Sequence, residues 1–221
     1  MMVSAVIFDM DGLMVDTEPV YQRSWQRTAQ DLGYEIDELL YERFVGRPTR
    51  VCEDILVEHF GPAFPLSAFQ QGWPVLWRSE VERCGITLKP GLMEMLDYVA
   101  GRLPIAVATS SEAEYAELTL GLAGIRHRFQ VVVSGDQVSR GKPAPDIYLE
   151  AARRLHIPAS ECVALEDSEA GIRAVQSAGM IGVLVPHWPA SQEARQAATS
   201  VAASLHEARI ILTSLIEHQR L

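Results

Sequence analysis

Val3-Ser4-Ala5-Val6-Ile7-Phe8-Asp9-Met10-Asp11-Gly12 is the stretch on which the fold turns. An apolar, β-branched run from Val3 to Phe8 stops abruptly at Asp9, the pattern of a buried parallel strand whose carboxyl end reaches a site. Two carboxylates then stand two residues apart, and Gly12 lets the backbone turn closely around a ligand. In an open α/β sheet that end of the strand is where ligands bind. By itself D-x-D-G also has a plainer reading, because acidic residues and glycine terminate strands in ordinary turns.

Outward from this strand, four further short apolar runs follow at residues 103–108, 131–133, 162–165 and 181–185. Between several of them lie segments with the apolar spacing of amphipathic helices, at 113–122, 146–155 and 168–178, the last with Ser168 as N-cap and Gly179 just past its end. Strands alternating with helices predict an α/β fold, a doubly wound and mostly parallel Rossmann-like sheet joined by right-handed crossovers. Residues 18–85 break the alternation with helical patterning and no convincing strand, and they are too many for a loop. The expected organisation is an α/β core from 1–16 and 86–221 with an inserted small helical domain at 17–85. Its helices are expected at 23–32, 36–44, 50–60 and 66–81, with Pro19 and residues 85–90 as linkers. Residues 206–221 read as a final covering helix.

The 221 residues are 48% hydrophobic and 22% charged, with 15 glycines and 12 prolines, which excludes collagen-like, disordered and low-complexity classes. A formal charge of -10 disfavours nucleic-acid and anionic-membrane partners, though not a local pocket for one small anion. Residues 59–77 and 174–192 lack charge but carry proline, glycine and glutamine, so no membrane span is expected. The N-terminus has no basic region and does not read as a signal peptide. Cys52, Cys84 and Cys162 are odd in number and widely spaced, which suggests neither a disulfide framework nor a zinc site and fits a reducing cytoplasm. A core plus insertion of this size is self-sufficient, so a monomer is the default, with a homodimer open.

The chemistry-bearing strings lie at the ends of these runs. Asp9 to Thr17 reads D-M-D-G-L-M-V-D-T; a strand ends in Thr109-Ser110; Gly141-Lys142-Pro143-Ala144-Pro145-Asp146 follows; and another strand ends in Glu166-Asp167-Ser168, with Gly171 beyond. Singly, Thr109 could be a helix N-cap, Lys142 a solvated lysine, and Glu166-Asp167 carboxylates favouring a helix start. Together and in order they resemble the four motifs of the haloacid dehalogenase superfamily, across essentially the whole chain. The insertion is similar to the small cap of its phosphatase and beta-phosphoglucomutase branch.

That resemblance implies a Mg2+-dependent phosphatase acting on a small phosphorylated metabolite, a sugar phosphate above all. Asp9 would attack phosphorus in line and form an aspartyl-phosphate, and Asp11 would protonate the leaving alkoxide and then deprotonate water. Thr109, the Ser110 amide and Lys142 would bind the phosphoryl group. The Asp9 carboxylate, the Asp11 carbonyl and Asp167, with Glu166 adjacent, form the expected Mg2+ set. Lys142-Pro143 is a position where the family often shows a cis peptide.

In the insertion, leaving-group recognition is the implied role. Tyr21, Gly46, Arg47 and Arg50 are the candidates, a solvated face being the more ordinary reading of either arginine. Trp25, Trp73 and Trp77 read as core. Asp16 and Thr17 fit a hinge and plain N-capping equally. The six histidines share no ligand spacing. The alternative is a beta-phosphoglucomutase-like phosphomutase, weakened because Tyr21 stands where those enzymes carry a histidine four residues after the hinge threonine. A dehalogenase would need neither Asp11 nor a metal pair, and a non-catalytic binding protein would be expected to lack part of this set.

Overall fold

A computed structural model describes residues 2–44, 47, 49–187 and 189–217. The chain divides into two compact units, Met1–Asp16 with Ile86–Leu221, and Thr17–Gly85. The first is built on a six-stranded sheet. β1 (Ala5–Phe8) lies between β4 (Ile105–Ala108) and β6 (Cys162–Glu166); β5 (Val131–Val133) extends one side, and β7 (Ile181–Leu184) and β8 (Ser200–Val201) the other. Every neighbouring pair is parallel. Strand order reverses beside β1, which opens a crevice at the carboxyl ends of β1, β4 and β6. A separate antiparallel pair, β2 (Val15–Asp16) with β3 (Thr87–Leu88), stands where the chain leaves and re-enters this unit.

Successive strand side chains face opposite ways, so each strand feeds two cores. Val6, Phe8, Val107, Val163 and Leu165 pack against α5 (Leu92–Val99), α6 (Ala113–Leu122) and α10 (Leu205–Glu217). Ala5, Ile7, Ala106, Ala108 and Ala164 face α7 (Asp146–Leu155), α8 (Glu169–Ser177) and α9 (Gln192–Ala197). Burial on both faces explains why β1 reads as a continuous apolar run and not as an alternation. Each large aliphatic or Phe8 side chain so buried contributes about 1.5–3 kcal/mol.

The second unit holds α1 (Glu18–Asp31), α2 (Glu38–Glu42), α3 (Thr49–Phe60) and α4 (Leu66–Cys84). Their apolar faces meet in a core of Trp25, Leu40, Phe44, Leu56, Phe64 and Phe69. Trp25 meets Phe69 edge-on, with ring centroids 5.1 Å apart.

Several expectations are corrected. Pro19 is not a linker: it lies in the first turn of α1, where its missing N–H would have had no helical partner anyway and its fixed φ suits the helix. The 85–90 linker contains β3, and α4 continues through Pro74 to Cys84. The expected helix at 36–44 shortens to α2, which ends at Glu42 and starts after Asp37 because that residue caps it, accepting from the Leu40 amide at 2.7 Å. α5, α9 and β8 had no counterpart in the sequence reading; β8 is two residues long, too short to carry a period. Ser168 caps α8, accepting from the Gly171 amide at 3.1 Å. No helix among the described residues is long and apolar enough to cross a membrane.

Candidate active site

Asp9 follows β1 directly, and its amide continues the ladder by donating to the Leu165 carbonyl at 3.0 Å. That bond holds the side chain at the crevice between β1 and β6. Asp9 is 6% exposed, and its Oδ1 accepts a hydrogen bond from Lys142 Nζ. Lys142 comes from the loop between β5 and α7, behind a cis peptide to Pro143. It is no solvated lysine: its ammonium also donates to the Ala108 carbonyl at 3.1 Å and to Glu166 Oε1 at 2.6 Å.

Glu166, fully buried at the end of β6, is the most heavily bonded group in the site. Its Oε1 also accepts from the Tyr148 hydroxyl at 2.7 Å. Its Oε2 accepts from the Asp167 amide at 2.9 Å, the Ser168 amide at 3.1 Å and the Ser168 hydroxyl at 3.0 Å. The start of α8 therefore wraps this carboxylate, an arrangement that needs Gly171, since a Cβ there would lie 1.7 Å from Glu166 Oε1. Gly12 gives Asp167 the same kind of room: a Cβ would stand 2.1 Å from its Oδ2.

Burial and mutual charge set the electrostatics. Burial pushes the Asp9 carboxyl well above the usual carboxylate range; Lys142 opposes that, and the charges of Glu166 and Asp167 reinforce it. Asp167 is pushed up to about 8 by burial and by the charge of Glu166. Burial acts against Glu166 too, but the Lys142 charge and its other donors draw it below its ordinary value. Burial likewise disfavours the Lys142 ammonium, yet Asp9 and Glu166 hold it above the usual lysine range.

One ammonium thus stands among more carboxylates than it can neutralise. Carboxylate oxygens of Asp9, Glu166 and Asp167 lie within 4.8 Å of one another. This hard oxygen set fits a divalent cation such as Mg2+. Because Glu166 is already saturated with donors, Asp9 and Asp167 are the members suited to face one.

Asp11 stands across the turn from this cluster. Its Oδ2 accepts from Ser111 Oγ at 2.8 Å and from Thr109 Oγ1 at 3.3 Å. Thr109, 1% exposed at the end of β4, is not a helix cap, since α6 begins after Glu112. Ser110 lies exposed on the same turn.

The structure therefore brings Asp9, Asp11, Thr109, Ser110, Lys142, Glu166 and Asp167 together at the carboxyl ends of three strands and the loop after β5. Asp16 is half-buried on β2, opposite Thr87. The remaining candidates belong to unit 17–85. Thr17 is buried and precedes α1 without a side-chain capping bond. Tyr21 packs in the aromatic group, 5.8 Å from Trp73 and 5.6 Å from Trp77 between ring centroids. Arg47 and Arg50 are exposed. Gly46 lies outside the described residues. Sequence reading passed over Ser111 and Tyr148: the first sits beside two residues given the same task, and the second occupies an ordinary apolar position of α7.

Comparison with known proteins identifies the family. The family model for haloacid dehalogenase-like hydrolases matches residues 3–179. A phosphorylated carbohydrates phosphatase of Thermotoga maritima is 37% identical over 180 residues, covering 80% of this chain and 82% of that one. The fructose-1-phosphate phosphatase YqaB of Escherichia coli is 33% identical over 184 residues, covering 81% and 95%. A crystal structure from Thermotoga maritima, assigned as a beta-phosphoglucomutase, superposes with a TM-score of 0.82 at 33% identity, covering 96% of this chain and 99% of that one.

Proposed function

The chain belongs to the haloacid dehalogenase-like hydrolase family, and from that premise we propose that it is a Mg2+-dependent phosphatase of a small phosphorylated metabolite, a sugar phosphate, working through an aspartyl-phosphate on Asp9. The observation that carries this reading is the buried cluster in which Lys142 joins Asp9 to Glu166 beside Asp167. Buried charges are costly and persist where they are paired or used.

Lys142 pins Asp9 by one oxygen and so keeps the nucleophile aimed. Thr109 and the Ser110 amide bind oxygens of the transferring group. Asp11 gives a proton to the leaving oxygen and takes one from the attacking water. Asp9, Asp167 and the Asp11 carbonyl would hold Mg2+, which when bound supplies positive charge that shields the phosphate from its anionic nucleophile. Glu166 orients Lys142 and the start of α8. Unit 17–85 is the family's helical cap, and the enzyme works as a monomer in the cytoplasm, in keeping with its three free cysteines.

The resemblance to the structure assigned as a beta-phosphoglucomutase supports a second reading, an intramolecular phosphomutase. Tyr21, an aromatic packed against Trp73 and Trp77, favours the phosphatase. The test measures phosphate release from sugar phosphates and phosphoglycolate with and without Mg2+, beside conversion of beta-glucose 1-phosphate to glucose 6-phosphate. Metal-dependent release that falls by about a thousandfold or more in Asp9→Asn is the expected outcome. Isomer formed without phosphate makes the protein a mutase, and release that survives Asp9→Asn ends the aspartyl mechanism.

A further inference from the structure

Two hydroxyls converge on one oxygen of Asp11, and Ser111 makes the shorter of the two bonds. Ser111 reaches it from a fixed backbone. Its amide donates to Thr109 Oγ1 at 3.1 Å, and its carbonyl accepts from the Gly135 amide at 2.9 Å. Gly135 approaches this turn so closely that a Cβ there would lie 2.4 Å from the Ser110 carbonyl oxygen. Asp136 then accepts from the Ala113 amide at 3.0 Å. The loop after β5 thereby holds the turn on both sides of the Ser111 side chain.

We propose that Ser111 is the positioning residue for Asp11, holding that carboxyl group in aim through both halves of the reaction; this rests on the reading of Asp11 as proton donor and acceptor. In the first half, a bond forms between Asp9 oxygen and phosphorus, the bond from phosphorus to the leaving oxygen breaks, and the Asp11 proton passes to that oxygen. In the second, water oxygen bonds to phosphorus, the Asp9 oxygen leaves, and a water proton returns to Asp11. Asp11 is thus a carboxylic acid in one half and a carboxylate in the other. The Ser111 hydroxyl donates to the same Asp11 oxygen in both forms, so the other carboxyl oxygen is the one left to carry the proton to the leaving group and to take it back from water. Thr109 cannot fill this role throughout, because its single O–H turns to the phosphoryl group when substrate binds.

The test uses the full-length protein with Mg2+ and p-nitrophenyl phosphate, whose leaving group departs without a proton and so needs Asp11 only in the second half. In Ser111→Ala, the first turnover of nitrophenolate stays within about twofold of wild type while steady-state turnover falls by about tenfold, a part of what acid–base catalysis supplies. Ser111→Thr restores it. Steady-state turnover within twofold of wild type, or first and later turnovers falling together, overturns the proposal. If the wild-type protein shows no metal-dependent release from p-nitrophenyl phosphate or from any sugar phosphate, or Asp9→Asn retains it, the phosphatase reading has failed first and this inference with it.

Discussion

At the strand ends of the α/β unit and in the loop after β5, charged side chains are buried together: Asp9, Lys142 and Glu166. In unit 17–85 the core is aromatic and aliphatic, around Trp25, Phe44 and Phe69, its buried polar side chains are the uncharged Thr17, Ser24 and Thr28, and its ion pairs lie outside, as between Arg43 and Glu58 at 3.2 Å. The first arrangement is conditional. Each buried charge is tolerable only while the others stay in place, since solvation lost on burial is replaced by partners. The second is generic, because dispersion and hydrophobic burial do not depend on which aromatic meets which. Stability and chemistry therefore share residues in one unit and are separable in the other.

The sharpest way to break this contrast is Lys142→Met. It leaves Asp9 and Glu166 buried without their cation, and should cost about 3–5 kcal/mol, read as a lower denaturation midpoint in metal-free protein. A loss below about 1 kcal/mol would mean that the cluster is not conditional.

A smaller effect concerns metal and pH. The folded pKa of Asp167, near 8, lies above its unfolded value, so the folded state binds the extra proton between about pH 4 and 8. Metal-free stability then falls as pH rises through that window and levels beyond it. Mg2+ must displace this proton below pH 8, so the stabilisation by a fixed Mg2+ concentration should grow from pH 6 to pH 8, by up to about 1.4 kcal/mol per pH unit for each proton displaced. Paired melts with and without Mg2+ measure it, and a gap independent of pH would contradict the raised value.

The smallest expected effect is Arg43→Ala, within about 0.5 kcal/mol by chemical denaturation, since both partners are solvated. A loss comparable to that of Lys142→Met would erase the distinction between the units.

Much of the α/β unit was legible because its signals are local. The β1 run, the helices at 113–122 and 146–155, and Ser168 as a cap each follow from spacing or from one side chain near its own backbone. The carboxylates were legible because Asp9 and Asp11 lie just beyond β1, and Glu166 and Asp167 at the end of β6, which a parallel sheet brings to one edge. Pro19 misled because proline both breaks helices and starts them, and only the fold decides which. In the insertion, Arg47 and Arg50 carry no such positional signal: both are exposed, Arg50 in the first turn of α3, and composition does not say what an exposed arginine meets.

The sequence by itself determined the longer strands, several of the helices between them, and the strand ends on which acidic residues fall, because periods of 2 and 3.6 and capping chemistry act over a few residues. Tertiary structure alone decided which polar atom finds which partner. Tyr148 donates to Glu166, Ser111 to Asp11 from 100 residues away, and Lys89 Nζ lies 2.7 Å from Nδ1 of His187, a residue with no spacing to mark it. A period assigns a side chain to a face, whereas a hydrogen bond requires a position within a few tenths of an ångström, and that is set only when the crossovers have closed and the rotamers have packed.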